Sequence, residues 1–197
     1  MAPNARHALA IYAPNAARNG IFHQDPAAMV HSMPSTPYDR IDRAILEHLQ
    51  RHGRTANVDL AEAVRLSPSS CLRRTKALEA DGVISGYRAE LDREAVGLGL
   101  TVFIALRVEQ HSRETSRQIE QKLCAIPAVV ACHVVSGEAD FLVEVAVPDL
   151  AAYEQVLLDD ILAIGPVRDA RSTFAIRTIR SRGPLPLDRW PVTGRSR

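Results

Sequence analysis

The stretch "RLSPSSCLRRTKALEADG", residues 65–82, sets four basic residues, Arg65, Arg73, Arg74 and Lys76, within twelve positions that hold no acid. Guanidinium and ammonium groups at that density suit a polyanion: they bind phosphate oxygens, and an arginine can also fork onto a base edge in a DNA groove. Other reactive side chains are dispersed. The seven histidines show no HExxH spacing. Cys132 and His133 are neighbours in a predicted strand, so they point to opposite faces, and a packed histidine is a better reading than a metal ligand. "GLG" at residues 97–99 lacks the rest of a nucleotide-binding fingerprint and a helix after it. The sequence therefore predicts binding chemistry, with no catalytic constellation, metal or cofactor.

A charged helix face is often merely solvated, so the weight of this stretch depends on the elements that carry it. In "DRIDRAILEHLQRHG", Ile41, Ala44, Ile45, His48 and Leu49 recur at helical spacing, with Gly53 as a stop. A short second helix is predicted in "NVDLAEAV", capped by Asn57 and facing inward through Leu60, Ala61 and Val64. Ser67 caps a third helix with Pro68 at its first position, and Gly82 ends it. The link "RLS" between the last two is helix-turn-helix spacing. Stepping about 100° per residue from Ser69 places Cys71, Leu72, Thr75 and Leu78 on one face and Ser69, Ser70, Arg73, Lys76 and Ala77 on the other. One face packs and the other is free to enter a major groove, with small hydroxyls at the helix start and cations behind them. Arg74, between the faces, suits a phosphate better than a base. "VISGYRAEL" after Gly82 has strand-like composition, suitable for a wing.

The chain is 197 residues long and 46% hydrophobic, room for two small domains. No apolar run reaches the roughly 18 residues of a membrane span, and "ALAIYA", closed by Pro14, is too short for a signal-peptide core. Three cysteines without CxxC spacing read as free thiols in a reducing compartment, the cytoplasm. The net charge of +1 divides as +1 over residues 1–37, 0 over 38–92, −3 over 93–180 and +3 over 181–197. A polyanion must therefore be met by a local patch. Five prolines and no sustained period make residues 1–37 a flexible extension, and 182–197 a flexible basic tail.

From Leu98 the pattern alternates strand and helix: "LGLTVFIALRVE", "RETSRQIEQKLCAI", "AVVACHVVSG", "ADFLVEVAV", "DLAAYEQVLLDDILAI" and "VRDARSTFAIRTIR". The order βαββαβ is ferredoxin-like, giving an α+β chain with a winged helix-turn-helix over residues 38–92 and a second domain over 93–181, to which the resemblance described below assigns effector binding and dimerisation. The last segment does not alternate strictly at its start. An open four-stranded sheet with both helices on one face leaves the other face in need of a partner, which predicts a homodimer.

The segments "DRIDRAILEHLQRHGR", "NVDLAEAVRLSPSSCLRRTKALEADGVISGYRAELD" and "ACHVVSGEADFLVEVAVPDLAAYEQVLLDDIL", in that order over residues 38–181, resemble the feast/famine (Lrp/AsnC) bacterial transcription regulators. The resemblance implies a sequence-specific regulator that binds double-stranded DNA through the first domain and a small effector, an amino acid, through the second. It implies DNA contacts at Ser67, Ser69, Ser70, Arg73, Arg74 and Lys76. "VSGEAD" matches the family's effector loop, which implicates Ser136, Gly137, Glu138 and Asp140, with Val134 beneath and Thr173 and Phe174 nearby on the last strand. A glycine there lets a ligand approach the backbone, and a carboxylate can pair with an amino group. Glu138 and Ala139 stand where the family has an acid and an aromatic residue before the aspartate, and Ser70 replaces a frequent proline. Assembly beyond the dimer, up to an octamer, stays open. Two other readings stand beside this one: an enzyme of the same layout similar to sirohaem decarboxylases, which would need His133 or His111 in a large pocket, and an effector sensor that does not bind DNA.

Overall fold

The computed structural model describes residues 38–109 and 112–189. The expected N-terminal extension, His111 and the end of the basic tail lie outside the described residues. The chain divides into two compact units, the first taking residues up to Ser85 together with those from Pro184 onward, the second Gly86–Gly183.

The first unit holds helices α1 (Arg40–Arg51), α2 (Asn57–Ala63) and α3 (Pro68–Ala80). Ile45, Leu46, Leu60, Ala61, Cys71 and Leu78 form its core, with Tyr38, Ile41, Leu49, Val64, Leu66 and Ile84 packed around them. Leu46 belongs to this core although the predicted stripe omits it, and Leu72, assigned to the packing face, is 43% exposed. Asp39 and Asp42 open α1 with a reciprocal capping box. Asn57 is not the cap of α2; that place falls to Ala56, and the Asn57 amide instead donates to the Pro68 carbonyl at 2.9 Å, tying α2 to α3.

The turn between α2 and α3 is made without glycine. Arg65 takes φ +56°, its N–H reaches the Glu62 carbonyl, and the Leu66 N–H reaches the Ala61 carbonyl at 2.8 Å, a Schellman ending. Gly82, at φ +74°, turns the chain out of α3. The predicted wing does not form a strand among the described residues: 83–91 carry no ladder bonds and are exposed apart from Ile84, whose N–H donates to the Leu78 carbonyl at 3.1 Å.

In the second unit β1 (Leu100–Val108), β2 (Val129–Val134), β3 (Phe141–Val147) and β4 (Val167–Phe174) form one antiparallel sheet in the order β2-β3-β1-β4. Helices α4 (Arg113–Ala125) and α5 (Leu150–Gln155), the latter continued by a π-helical turn Val156–Ile161, cover one face. Val102, Ile104, Leu106, Phe141, Val143 and Val145 meet Ile119, Leu123, Tyr153 and Ile161 there. The opposite face presents Phe103 and Leu142, each about a third exposed, with Arg93 bridging Glu144 at 2.7 Å and Thr101 at 2.8 Å.

The broken alternation at the start of the last segment has a physical cause. The pairing register of β1 with β4 shifts between Arg107 and Val108, so Val108 meets Val167, Arg107 meets Asp169, and Arg168 is the extra residue of a bulge. The strand also ends earlier than predicted, at Phe174, and Ile176 and Ile179 beyond it are exposed.

Candidate DNA-binding face and effector cleft

Ser67 caps α3 by accepting the Ser70 N–H at 3.3 Å, and its hydroxyl also meets those of Ser70 at 2.9 Å and Ser69 at 3.2 Å. The helix therefore starts with a hydroxyl cluster where its dipole is positive and backbone N–H groups point outward, which favours an anion. Ser69, Arg73 and Lys76 are exposed on one side of this helix and Ser70 is half-buried. Cys71 and Leu78 lock the other side into the core.

Arg74 does not join that face. Its Nη1 donates to Asp42 at 2.8 Å and meets Asp39 at 3.0 Å, the two carboxylates of the α1 capping box. The hydrogen bond to Asp42 is the main reason its guanidinium is held even more firmly charged than usual. Burial pushes the Asp39 carboxyl up, but the N–H groups of Asp42 and Ile41 and the Arg74 charge outweigh it, and the net direction is down. Its position between the two faces aims Arg74 at α1, where it forms a clamp between α1 and α3.

The second candidate site surrounds the loop between β2 and β3. The Asp140 N–H donates to the Leu106 carbonyl at 2.9 Å, the Val108 N–H donates to Asp140 Oδ2 at 2.9 Å, and the Val135 N–H reaches the Asp140 carbonyl at 3.0 Å. Asp140 thereby stitches the loop to the bulged end of β1. Arg107 Nε donates to the Glu138 carbonyl, and Arg171 lies 3.7 Å from the exposed Glu138 carboxylate. Gly137 sits at φ +127°, a conformation that a side chain would strain. Next to the loop lies an open cleft of about 590 Å³, lined by Gly137, Glu138, Asp140, Arg107, Arg168 and Asp169 among others. A smaller adjoining recess adds Ala139 and Arg171.

Of the expected effector residues, Gly137, Glu138 and Asp140 come together at this cleft and the others do not. Val134 ends β2 opposite Phe141 and is 66% exposed. Ser136 is exposed on the loop and does not line the cleft. Thr173 and Phe174 pair with Phe103 and Val102, about 13 Å along β4 from Asp169. Being adjacent in a strand they also face opposite ways, and Phe174 packs edge-on against Tyr153, with ring centroids 5.3 Å apart, on the helix-covered side. Arg107, Arg168, Asp169 and Arg171 were missed by sequence reasoning. For the last three the charge-dense run "RDAR" at 168–171 was the only signal, and a run of that kind reads as a solvated strand edge until the register is known; Arg107, alone in a strand, carried none.

Among the described residues no cluster of histidine, cysteine and acidic side chains could hold a metal ion. His133 is exposed on β2. Cys71 is buried, Cys124 exposed and Cys132 half-buried, all as free thiols, and burial, more than the nearby Cys124 and Glu120, pushes the Cys132 thiol up to about 11. Among the described residues no helix is long and apolar enough to cross a membrane.

Residues 38–85 match the family model described as winged helix-turn-helix DNA-binding, and residues 101–185 match that of the Lrp/AsnC ligand binding domain. The leucine-responsive regulatory protein of Escherichia coli K12 is 34% identical over 152 residues, which cover 77% of this chain and 93% of that protein. A transcriptional regulator from Neisseria meningitidis, solved as a complex with L-Met, is 37% identical with a TM-score of 0.72, over 77% of this chain and 97% of that one. An AsnC family transcriptional regulator from Agrobacterium tumefaciens is 39% identical with a TM-score of 0.72, over 77% and 98%. Fold and sites together define a DNA-binding transcription regulator that carries its own ligand-binding domain. The chain belongs to the Lrp/AsnC family.

Proposed function

We propose that the regulator reads DNA with Ser69, Ser70, Arg73 and Lys76 of α3, with Ser67 and the helix start against a phosphate, and responds to a small amino acid bound at the cleft beside residues 137–140. Binding, not catalysis, is its activity, which accords with relatives that are themselves regulators. The observation that carries the effector reading is the mixed charge of the cleft. Arg107 and Arg168 offer guanidinium groups for an α-carboxylate, while Glu138 and Asp169 offer carboxylates for an α-ammonium group, within one opening. Leucine, to which one relative is responsive by name, and L-Met, with which another was solved as a complex, belong to the same zwitterionic class. The working form we infer is a cytoplasmic homodimer whose two α3 helices read half-sites of a roughly palindromic operator. We infer a DNA-binding domain over residues 38–92 and an effector domain over 93–181, a reading supported by the two compact units, which divide near residues 85/86 and 183/184.

The test is calorimetric titration of the full chain with each of the twenty amino acids, followed by DNA binding with and without the one that binds. Glu138→Gln should weaken that ligand about tenfold, roughly 1.4 kcal/mol, and leave DNA affinity unchanged. It is a cleaner probe than Asp140→Ala, because Asp140 also holds the Val108 N–H. Heat from none of the twenty would remove the effector assignment. On the DNA side, Arg73→Ala should cost about 1–3 kcal/mol on DNA from upstream of the protein's own gene, and an equal loss on scrambled DNA would make it a phosphate contact.

A further inference from the structure

The turn between α1 and α2 carries a second group of cations. From His48 to Val58 the chain holds Arg51 and Arg54, two histidines and no acid. Arg51, His52 and Arg54 are exposed, and among the described residues neither arginine has an ion-pair partner. Glu47, the acid just before this run, is taken by Arg43 at 3.3 Å. A cation in the last turn of a helix answers the negative end of the helix dipole, which accounts for Arg51. It does not account for Arg54, which lies beyond the end of α1.

The turn is held closed by its own hydrogen bonds. The Thr55 N–H and hydroxyl both donate to the His52 carbonyl, at 3.1 and 2.7 Å, and the hydroxyl oxygen lies 3.2 Å from His48 Nε2. These bonds fix the point at which Arg54 leaves the backbone. The place of the turn within the first unit is fixed as well, because the Asn57 amide donates to the Pro68 carbonyl at 2.9 Å and so holds the start of α2 against the start of α3. Three residues span at most about 11 Å, so the backbone of Arg54 stays within about three base-pair rises of this junction.

We propose that Arg51 and Arg54 bind backbone phosphates of the DNA beside the bases that α3 reads, forming a second contact surface of the first unit. An exposed, unpaired guanidinium on a held turn makes charge-assisted hydrogen bonds to a phosphate and releases a condensed counterion. Such a contact carries no sequence information and fixes the register in which Ser69 and Arg73 meet base edges. The inference rests on DNA binding by α3 and adds to it a contact from a different segment of the chain.

The test is fluorescence anisotropy of the full chain, of Arg51→Ala/Arg54→Ala, of Arg51→Lys/Arg54→Lys and of Arg40→Ala. Each is titrated with duplex DNA from upstream of the protein's own gene and with a scrambled duplex, across a salt series. Losing two phosphate contacts should make the slope of log K against log salt shallower by about 1.8 per bound protomer, equally on both duplexes, while the lysine pair keeps the slope of the full chain. Arg40→Ala removes a like charge from the opposite end of α1, about 16 Å away, and should leave the slope unchanged. Equal slopes for the full chain and the alanine pair overturn the surface and leave α3 binding intact. A slope loss in Arg40→Ala as large, per charge, as in the alanine pair reduces the effect to net charge and overturns it too, as does a loss confined to one duplex. No binding by any of the four proteins overturns the DNA reading along with this surface.

Discussion

Arg73 and Arg74 are adjacent, carry the same side chain and do different work. The first is exposed beside Ser69 and Lys76, and the second is spent on Asp39 and Asp42. Arg74→Ala should therefore lower the stability of the first unit by about 1–2 kcal/mol, between the worth of a surface pair and that of a buried one. Asp39→Asn separates charge from capping, since asparagine is an equally good N-cap. The folded Asp39 carboxyl lies below its ordinary value. Its stabilisation is therefore fully present above about pH 4 and is lost as pH falls through the folded value. Denaturant unfolding should show wild type more stable than Asp39→Asn at neutral pH, with the gap closing below about pH 4. A gap that is the same at both pH values would count against the clamp.

At the scale of elements, the helix-turn-helix corner rests on a residue in an awkward conformation. Arg65 occupies the left-handed region with a Cβ that costs roughly 1 kcal/mol there, because the Schellman bonds from Arg65 and Leu66 demand it. Arg65→Gly should raise the thermal midpoint of the first unit, with a gain of about 0.5–1 kcal/mol in denaturant titration. A loss would mean that the arginine side chain makes a stabilising contact of its own. The β1–β4 bulge is the corresponding device in the second unit. By inserting Arg168 it sets Arg168 and Asp169 beside the loop that Asp140 anchors, so the cleft is assembled by a register shift.

For the whole molecule, the sheet face away from the helices keeps apolar surface that burial would stabilise. Phe103 and Leu142 stand near its centre with Ala105 between β3 and β4 partners, a surface that a second copy would bury. In a two-fold interface each substitution counts twice. Fully burying an exposed phenylalanine is worth about 1.5–3 kcal/mol and Phe103 is 37% exposed, so in the proposed homodimer Phe103→Arg should weaken association about tenfold and shift light scattering toward a monomer. An unchanged mass would count against a dimer built on this face.

Periodicity, caps and turn residues are local quantities, and the features that depend on them were legible in the chain. These are three helices with Ser67 and Pro68 opening the third, a βαββαβ order, and a basic α3 face opposite Cys71 and Leu78. Which cation serves which partner was not legible, because that depends on groups distant in the chain. Arg74 meets Asp42 across 32 positions, and Gln50 meets Leu185 across 135. The same holds for the cleft, whose arginines come from β1 and β4 through a register that no single segment encodes. Tertiary packing settled these pairings because a charged or amide side chain binds whatever complementary group is brought within about 3 Å, and packing is a property of the whole chain.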